Sequence, residues 1–198
     1  MNSDLESNIE LVREISAFGF REGLDCLACI EILEKGNEPE IVAGINSSDA
    51  VDAVKLVRNS LFTRLQIMLM RAYDPVRNGD KHLGVAFKLL EDEAVFNEIA
   101  NRGNWEKLEE ASENWESANS DPRLELLRHN RNKFLVHLSQ PKKGIQTPII
   151  NELLGFTLAT TEIWENLANG TAVMATNLVL QLGTYTESAE AFWKPWKS

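Results

Sequence analysis

The sequence predicts an all-α protein, an antiparallel helical bundle with additional short helices. Apolar residues recur every three or four positions along most of the 198 residues, which is the spacing of one face of an α-helix. No stretch alternates apolar and polar residues as a half-buried strand does. Because no Pro- or Gly-rich linker is long enough to divide the chain, we expect residues 1–198 to form a single domain.

The helical segments follow from this spacing and from the Gly, Pro, Asn and Asp residues between them. Gly19 and Gly23 weaken the first segment, which is either one long helix with a bend or two helices. A short loop is expected through Gly44–Asn46, and Asp74–Pro75 is expected to stop the second helix. The first predicted helix covers residues 4–34, and the second is capped by residues 47–49 and runs to residue 73. Further helices are predicted at 82–92, at one or two places within 91–121, at 120–139, at about 148–168 and at about 172–192.

The charge of the chain excludes one class of function. A net charge of -10 argues against a protein that coats nucleic acid through a general basic surface, so any nucleic-acid contact must be local. The first residues lack the pattern of a secretory signal, and the most apolar segment, Thr171–Leu182, is broken by polar residues and too short to span a bilayer. We therefore expect a cytoplasmic protein that does not contact membranes.

Metal and cofactor chemistry finds little support in the sequence. Cys26 and Cys29 form a C-x-x-C pattern, but no second pair of ligands accompanies it and no strand precedes it. The favoured interpretation is two small apolar side chains of a helix. No H-E-x-x-H, Gly-rich phosphate loop or nucleophile elbow is present. We expect neither a metal site nor a cofactor.

The C-terminal tail, residues 191–198, is rich in aromatic side chains, among them Trp193 and Trp196. Such residues anchor a partner protein or a second subunit, or they pack on their own bundle. The second interpretation is favoured.

Cations and histidines concentrate in Arg128–Ser139, at the end of the helix that begins at Asp121–Pro122. On an ideal helix Asn130, Lys133 and His137 form one stripe, and Arg131 lies about 120° around the axis from His137. Arginine binds phosphate oxygens and histidine transfers protons near neutral pH, so the set suits a phosphodiester. The alternative is that these residues are surface cations that complement the helix dipole.

The segment Arg131–His137 resembles the motif of arginine, four to six residues and histidine of the HEPN superfamily (higher eukaryotes and prokaryotes nucleotide-binding). Asn132 matches the polar residue that follows the arginine in that motif. The chain is most similar to the abortive-infection type U branch, which Leu69–Asp74 at the end of an earlier helix also resembles.

The resemblance implies a homodimer in which two motif helices face each other across a cleft. It further implies a metal-independent endoribonuclease that leaves a cyclic phosphate and acts in phage defence or as a toxin, with an antitoxin protein as a candidate partner. Arg131 and His137 would be catalytic, and Asn132 would position the substrate or the arginine. The helical stripe adds Lys133 as a supporting residue.

Two further residues, Arg71 and Asp74, match the branch as supporting residues of the site. They are three positions apart on a helix, close enough to form an ion pair. In that case they need no catalytic role.

Two features of the sequence depart from the branch or limit its substrate. Val136 stands where the branch often has alanine, which would tighten access to His137. Outside the motif helix and Lys142–Lys143 no broad basic surface is visible, so a small or structured RNA or a nucleotide is the expected ligand. His129 and His82 are interpreted as a surface residue and an incidental one.

Two alternatives to the nuclease stay open. One is a non-catalytic HEPN-like dimer that binds a nucleotide or a protein partner. The other is a structural helical dimer in which Arg131 and His137 pair across subunits.

Overall fold

The computed structural model describes residues 3–77, 79–131 and 150–197. Every regular element within these ranges is helical, which confirms the predicted all-α class. The α-helices are α1 (Ser3–Lys35), α2 (Pro39–Asn46), α3 (Val51–Ala72), α4 (Leu83–Leu90), α5 (Glu93–Arg102), α6 (Trp105–Asn119), α7 (Pro122–Asn130), α8 (Ile150–Gly170) and α9 (Gly183–Trp193). Two 3-10 turns, Val179–Gln181 and Lys194–Trp196, flank α9.

Helix α1 is a single helix of 33 residues, and its two central glycines lie where other parts of the chain press against it. A Cβ atom on Gly19 would lie 2.5 Å from a ring carbon of Trp164, and one on Gly23 would lie 2.9 Å from a methyl carbon of Leu178. The glycines that weaken the helix in isolation are therefore the positions that let Trp164 of α8 and Leu178, which follows α8, approach it closely.

Helix α8 contacts both α1 and α6 and contributes much of the core. Phe156, Ile163 and Leu167 are completely buried on it. Its last residue, Gly170, accepts a hydrogen bond of 2.9 Å from the backbone N–H of Asn104. Because a Cβ atom on Gly103 would lie 2.0 Å from the Gly170 oxygen, a glycine is required where the turn before α6 meets the end of α8.

The prediction of a loop through Gly44–Asn46 is wrong, because these residues belong to α2. Pro39 stands at the start of this helix, where its missing N–H costs no hydrogen bond. Ile41 and Ile45, one helical turn apart, are both buried. The short helix forms because this apolar face packs against the C-terminal tail.

The last predicted helix starts later than expected, at Gly183 instead of near Ala172. Ala172 has a φ of 55°, which ends helical geometry directly after α8. The Leu178 side chain is buried against α1, and its backbone N–H donates to Glu165 at 2.7 Å. Leu178 therefore anchors this connecting segment to the bundle, while its neighbours Val179 and Leu180 are exposed.

The C-terminal tail packs on its own chain, as predicted. Trp193 is completely buried together with Ile41, Ile45 and Val54, and its indole N–H donates to the Ile32 carbonyl at 2.8 Å. A Cβ atom on Gly44 would lie 2.1 Å from the backbone oxygen of Trp196, so the tail also approaches α2 closely.

Cys26 and Cys29 are buried free cysteines, which confirms the interpretation as packing residues. Burial raises the pKa of both thiols. None of the helices within the described ranges is both long and apolar enough to cross a membrane.

Candidate functional site

The end of α3 is fixed by one buried residue, Tyr73. It stands directly after the helix with φ of -110° and ψ of 17°. Its hydroxyl lies 3.0 Å from the Thr160 hydroxyl on α8, and its ring stacks on Trp115 of α6 at 5.2 Å and 7°. Burial raises the pKa of this hydroxyl, so it stays protonated. Because Tyr73 is held by two helices, the next residue, Asp74, is presented from a rigid position.

The predicted start of α7 at Asp121–Pro122 is confirmed. The Asp121 carboxylate accepts a hydrogen bond of 2.8 Å from the backbone N–H of Arg123 and also binds its guanidinium, with Oδ2 2.5 Å from Nη2. The Arg123 guanidinium holds the pKa of Asp121 below its usual range. An acidic cap of this kind satisfies free N–H groups of the first turn and complements the helix dipole.

Helix α7 is docked on α3 by polar side chains at its far end. Arg128 donates to the Tyr73 carbonyl at 3.0 Å, and the Asn130 amide donates to Gln66 at 2.7 Å. Asn130 is buried. The expectation that it shares a ligand-facing stripe with Lys133 and His137 is therefore wrong for Asn130, whose amide ties the two helices together.

Arg131 follows α7 directly and forms an ion pair with Asp74, with Nη1 2.5 Å from Oδ1. The two side chains are 23% and 38% exposed, so the pair lies at the surface of the bundle and not in its core. Two of the residues proposed from the sequence thus meet across the α3–α7 junction.

The predicted ion pair between Arg71 and Asp74 is wrong. Arg71 pairs with Glu22 of α1 instead. The reason is local: α3 ends at Ala72, and Tyr73 turns out of helical geometry before Asp74 is reached. A residue that precedes a proline also avoids the helical region, so Asp74 does not continue the face that carries Arg71.

Arg71, Asp74 and Arg131 line the same pocket, which has a volume of about 540 Å³. Four cationic side chains face it in a chain with a net charge of -10, and two carboxylates lie among them. Ligand sites typically have volumes of about 300–1,000 Å³. The lining residues are Arg71, Asp74, Pro75, Arg77, Asp80, Lys81, His82 and Arg131.

Most of these cations already have a carboxylate partner. Besides the pairs of Arg71 with Glu22 and of Arg131 with Asp74, Lys81 reaches Glu14 of α1 at 2.6 Å. Arg77 is exposed and forms no ion pair with any residue in the described ranges. Glu14 and Glu22 thus fix two sides of the pocket to α1.

The sequence interpretation missed His82, which is buried and lines the pocket. Neither ring nitrogen has a hydrogen-bond partner in the part of the chain that the structure describes. Its Nε2 lies 3.8 Å from Asp80 Oδ2, beyond hydrogen-bond length. The sequence signal that could have indicated it is the run of Arg77, Lys81 and His82 shortly after Asp74.

His129 is half-buried, with Nε2 shielded and without a hydrogen-bond partner among the described residues. Arg64 and Arg71 lie on one side of α3. They line a second pocket of about 630 Å³ and pair with Asp25 and Glu22 of α1.

Three of the proposed site residues, Asn132, Lys133 and His137, lie outside the described residues. So do Val136 and Lys142–Lys143. Within the described ranges, no group of three or more His, Cys, Asp or Glu side chains is placed to hold a metal ion.

Comparison with known proteins gives one match. The family model described as AbiU2, of HEPN type, matches residues 10–192. This range contains Arg71, Asp74, Arg131 and His137. No curated protein and no solved structure is significantly similar to the chain.

Proposed function

Because the chain belongs to the AbiU2 family of abortive-infection HEPN domains, we propose that it is a metal-independent endoribonuclease acting in phage defence or as a toxin. One observation carries the proposal. Arg131, the first residue of the arginine–histidine motif, lies in a cationic pocket of an otherwise acidic protein, where Asp74 binds its guanidinium.

The chemistry uses the two ends of the motif. The ribose 2′-oxygen attacks the phosphorus and gives its proton to a base, while the 5′-oxygen leaves and takes up a proton. The products are a 2′,3′-cyclic phosphate and a 5′-hydroxyl. His137 is the proton-transferring group, since imidazole titrates near neutral pH. Arg131 stabilises the extra negative charge on the phosphoryl oxygens.

The other proposed site residues have supporting roles. Asp74 orients Arg131, and Asn132 and Lys133 help to hold the substrate. Arg71 adds positive charge on the α3 side of the pocket while Glu22 keeps its guanidinium in place. A small or structured RNA suits a single local pocket better than a long basic surface would.

We further propose that the active form is a homodimer with two motif helices facing each other. Arg131 and His137 lie about 120° apart around an ideal helix, so one helix presents both to the same phosphate poorly. A second subunit removes this difficulty. An antitoxin protein that covers the cleft is the proposed regulator.

The proposal is tested with purified protein, a labelled structured RNA and a metal chelator. We expect cleavage that leaves a cyclic phosphate, and a loss of at least about 100-fold in rate for Arg131→Ala and for His137→Ala. Lys55→Ala, which removes an exposed cation from the distant half of α3, is the matched control and should cleave normally.

Two results would contradict the proposal. One is an intact dimer that cleaves neither this RNA nor total cellular RNA and does not arrest growth. The other is cleavage that both substitutions leave unchanged while circular dichroism shows the fold retained. If a bound nucleotide protected the motif without turnover, the function would be that of a non-catalytic nucleotide-binding dimer.

A further inference from the structure

One wall of the 540 Å³ pocket has no role in the chemistry proposed above. Arg77, Lys81 and His82 form this wall, next to the start of α4. Arg131 and Asp74 lie on the same pocket. The wall is therefore placed to contact the part of a ligand that extends beyond the reacting phosphate.

His82 is the most unusual residue of this wall. Its side chain is only 6% exposed, yet neither ring nitrogen has a hydrogen-bond partner among the described residues. Buried polar atoms are nearly always paired, because leaving them unpaired costs free energy. A group kept in this state is available to a ligand without first breaking an internal hydrogen bond.

The position of the ring depends on the glycine that follows it. A Cβ atom on Gly84 would lie 3.1 Å from His82 Cε1 and 3.2 Å from Nδ1. The absence of a side chain at Gly84 thus leaves room for the imidazole beside the pocket. Both nitrogens are shielded from water, so a ligand reaches them when a neighbouring side chain such as Asp80, which is 39% exposed, turns aside.

The charges of this wall favour an anion. Arg77 is exposed and has no ion pair with a described residue. Lys81 is 57% exposed and linked to Glu14, and a surface pair of this kind is easily shared with a ligand. Asp80 is the carboxylate nearest to His82, and Asp74 is engaged by Arg131. Guanidinium, ammonium and imidazole N–H groups together are typical ligands of phosphate oxygens.

We propose that Arg77, Lys81 and His82 form a second phosphate site, which holds the phosphate group adjacent to the one bound by Arg131. The pocket volume of about 540 Å³ supports this, because ligand sites of about 300–1,000 Å³ accept molecules larger than a single phosphate. The inference rests on the proposed function for the identity of the first phosphate. It assigns the protein a ligand with two neighbouring phosphates, such as a nucleotide of an RNA strand with a phosphate on each side.

The test compares two dinucleotides that differ by one phosphate. Both carry a 2′-O-methyl group at the internal linkage, so that neither is cleaved, and only one has a 5′-phosphate. We expect the native protein to bind the 5′-phosphorylated form about tenfold more tightly in calorimetric titrations. Inorganic phosphate and a nucleoside monophosphate, titrated in parallel, show whether a free phosphate alone fills the site.

Two substitutions locate the effect. Arg77→Gln removes an exposed charge and His82→Phe removes both ring nitrogens while keeping a planar ring. Either should abolish the tenfold preference and leave the binding of the dinucleotide without a 5′-phosphate unchanged. Lys55→Gln is the control for loss of one charge, since Lys55 is 66% exposed and about 24 Å from Arg71 along α3.

A spectroscopic signal keeps the test independent of folding effects. The chain has three histidines, so the ring nitrogens of His82 can be assigned in a ¹⁵N-histidine sample by comparison with His82→Phe. Saturable shifts of these signals on addition of the 5′-phosphorylated dinucleotide are expected. Equal affinity of the native protein for the two dinucleotides, or His82 signals that do not move, would overturn the second site.

The two proposals fail in different ways. If the native protein cleaves RNA, but Arg77→Gln and His82→Phe leave KM and the dinucleotide preference unchanged, the second phosphate site is wrong and the nuclease stands. If no RNA is cleaved, but the preference exists and depends on His82, the phosphate site stands and the nuclease is wrong.

Discussion

At the scale of single residues, the contact that defines the candidate site is the pair of Arg131 and Asp74. A carboxylate that binds an arginine restricts the directions in which the guanidinium can point. Tyr73 contacts Thr160 and Trp115, and these contacts fix the backbone position from which the Asp74 side chain extends. The Arg131 guanidinium is therefore already oriented, and under the proposed function this avoids reorganisation during the reaction.

We expect Asp74→Asn to lower RNA cleavage about tenfold, because an amide keeps the shape of the side chain but binds a guanidinium less strongly. Stability should change by less than about 1 kcal/mol, since the pair is partly exposed. The measurement is the cleavage rate together with urea unfolding. Asp52→Asn, in the exposed pair with Lys55, is the matched control.

A cleavage rate for Asp74→Asn equal to that of the native protein would show that Arg131 is oriented by other contacts. A loss of rate that accompanied a large loss of stability would instead assign Asp74 a structural role. The control separates these outcomes from a general effect of removing one negative charge.

Residue identity was easier to predict from the sequence than residue pairing. Arg131, Arg71 and Asp74 were selected from short motifs, and all three line one pocket. The partner of Asp74 was not predictable from spacing, because the rule of three positions applies only while the helix continues. The run of Arg77, Lys81 and His82 was visible in the sequence, but the burial of His82 without a hydrogen-bond partner among the described residues is a property of the folded chain.

At the scale of elements, α7 is the part of the fold that carries Arg131 to the pocket. Its first turn is held by the Asp121 cap, and its last turn is held by Arg128 and Asn130 on α3. Two buried leucines, Leu124 and Leu127, fix the face between them. Weakening either end of α7 should therefore displace the arginine.

The charge of Asp121 gives this helix a pH dependence. Arg123 lowers the pKa of Asp121 in the folded protein, so the folded state binds this proton less readily than the unfolded chain. The resulting stabilisation is present above the unfolded pKa of about 3.9 and is lost as the pH falls through the lowered folded value. Asp121→Asn keeps a good cap and removes only the charge.

We expect Asp121→Asn to be less stable than the native protein by about 0.5–1 kcal/mol at pH 7, measured by urea unfolding. The difference should stay constant down to about pH 5 and shrink below about pH 4. Asp52→Asn serves again as an exposed control. A difference that persisted or grew in acid would mean that the charge of Asp121 does not stabilise α7.

Most helices were predictable because their apolar faces are long and regular. Two errors have a common physical origin. Residues 39–46 form a helix because Ile41 and Ile45 pack against Trp193. Residues 172–182 do not form an α-helix because Leu178 packs on Gly23 of α1. In both segments tertiary contacts between distant parts of the chain override the local pattern.

At the scale of the whole molecule, the acidic surface and the cationic pocket together limit what the protein binds. A net charge of -10 repels nucleic acid at most orientations, while four cations concentrate in one pocket. Binding through a few phosphate contacts depends less steeply on salt than binding along an extended basic surface. Under the proposed function, we therefore expect the protein to recognise a defined RNA feature in place of a long strand.

The arrangement of the two subunits determines whether Arg131 and His137 of one proposed active site come from the same protomer. If each active site takes the arginine from one protomer and the histidine from the other, inactive variants should complement each other. We expect Arg131→Ala and His137→Ala homodimers to be inactive. A mixed dimer, prepared by co-expression with two different tags, should recover about half of the native cleavage rate, because one of its two symmetric sites contains both native residues.

The measurement is the cleavage rate of the mixed dimer after tandem affinity purification, with its mass checked by sedimentation against the 22.3 kDa of one chain. A dimer in which both chains carry Arg131→Ala, each with a different tag, is the control for contamination by native enzyme. A mixed dimer as inactive as its parents would place both residues of each site on one protomer, and an active species of one chain mass would remove the need for a second subunit. Recovery of activity would instead explain why one helix can carry the two motif residues about 120° apart and still form a site.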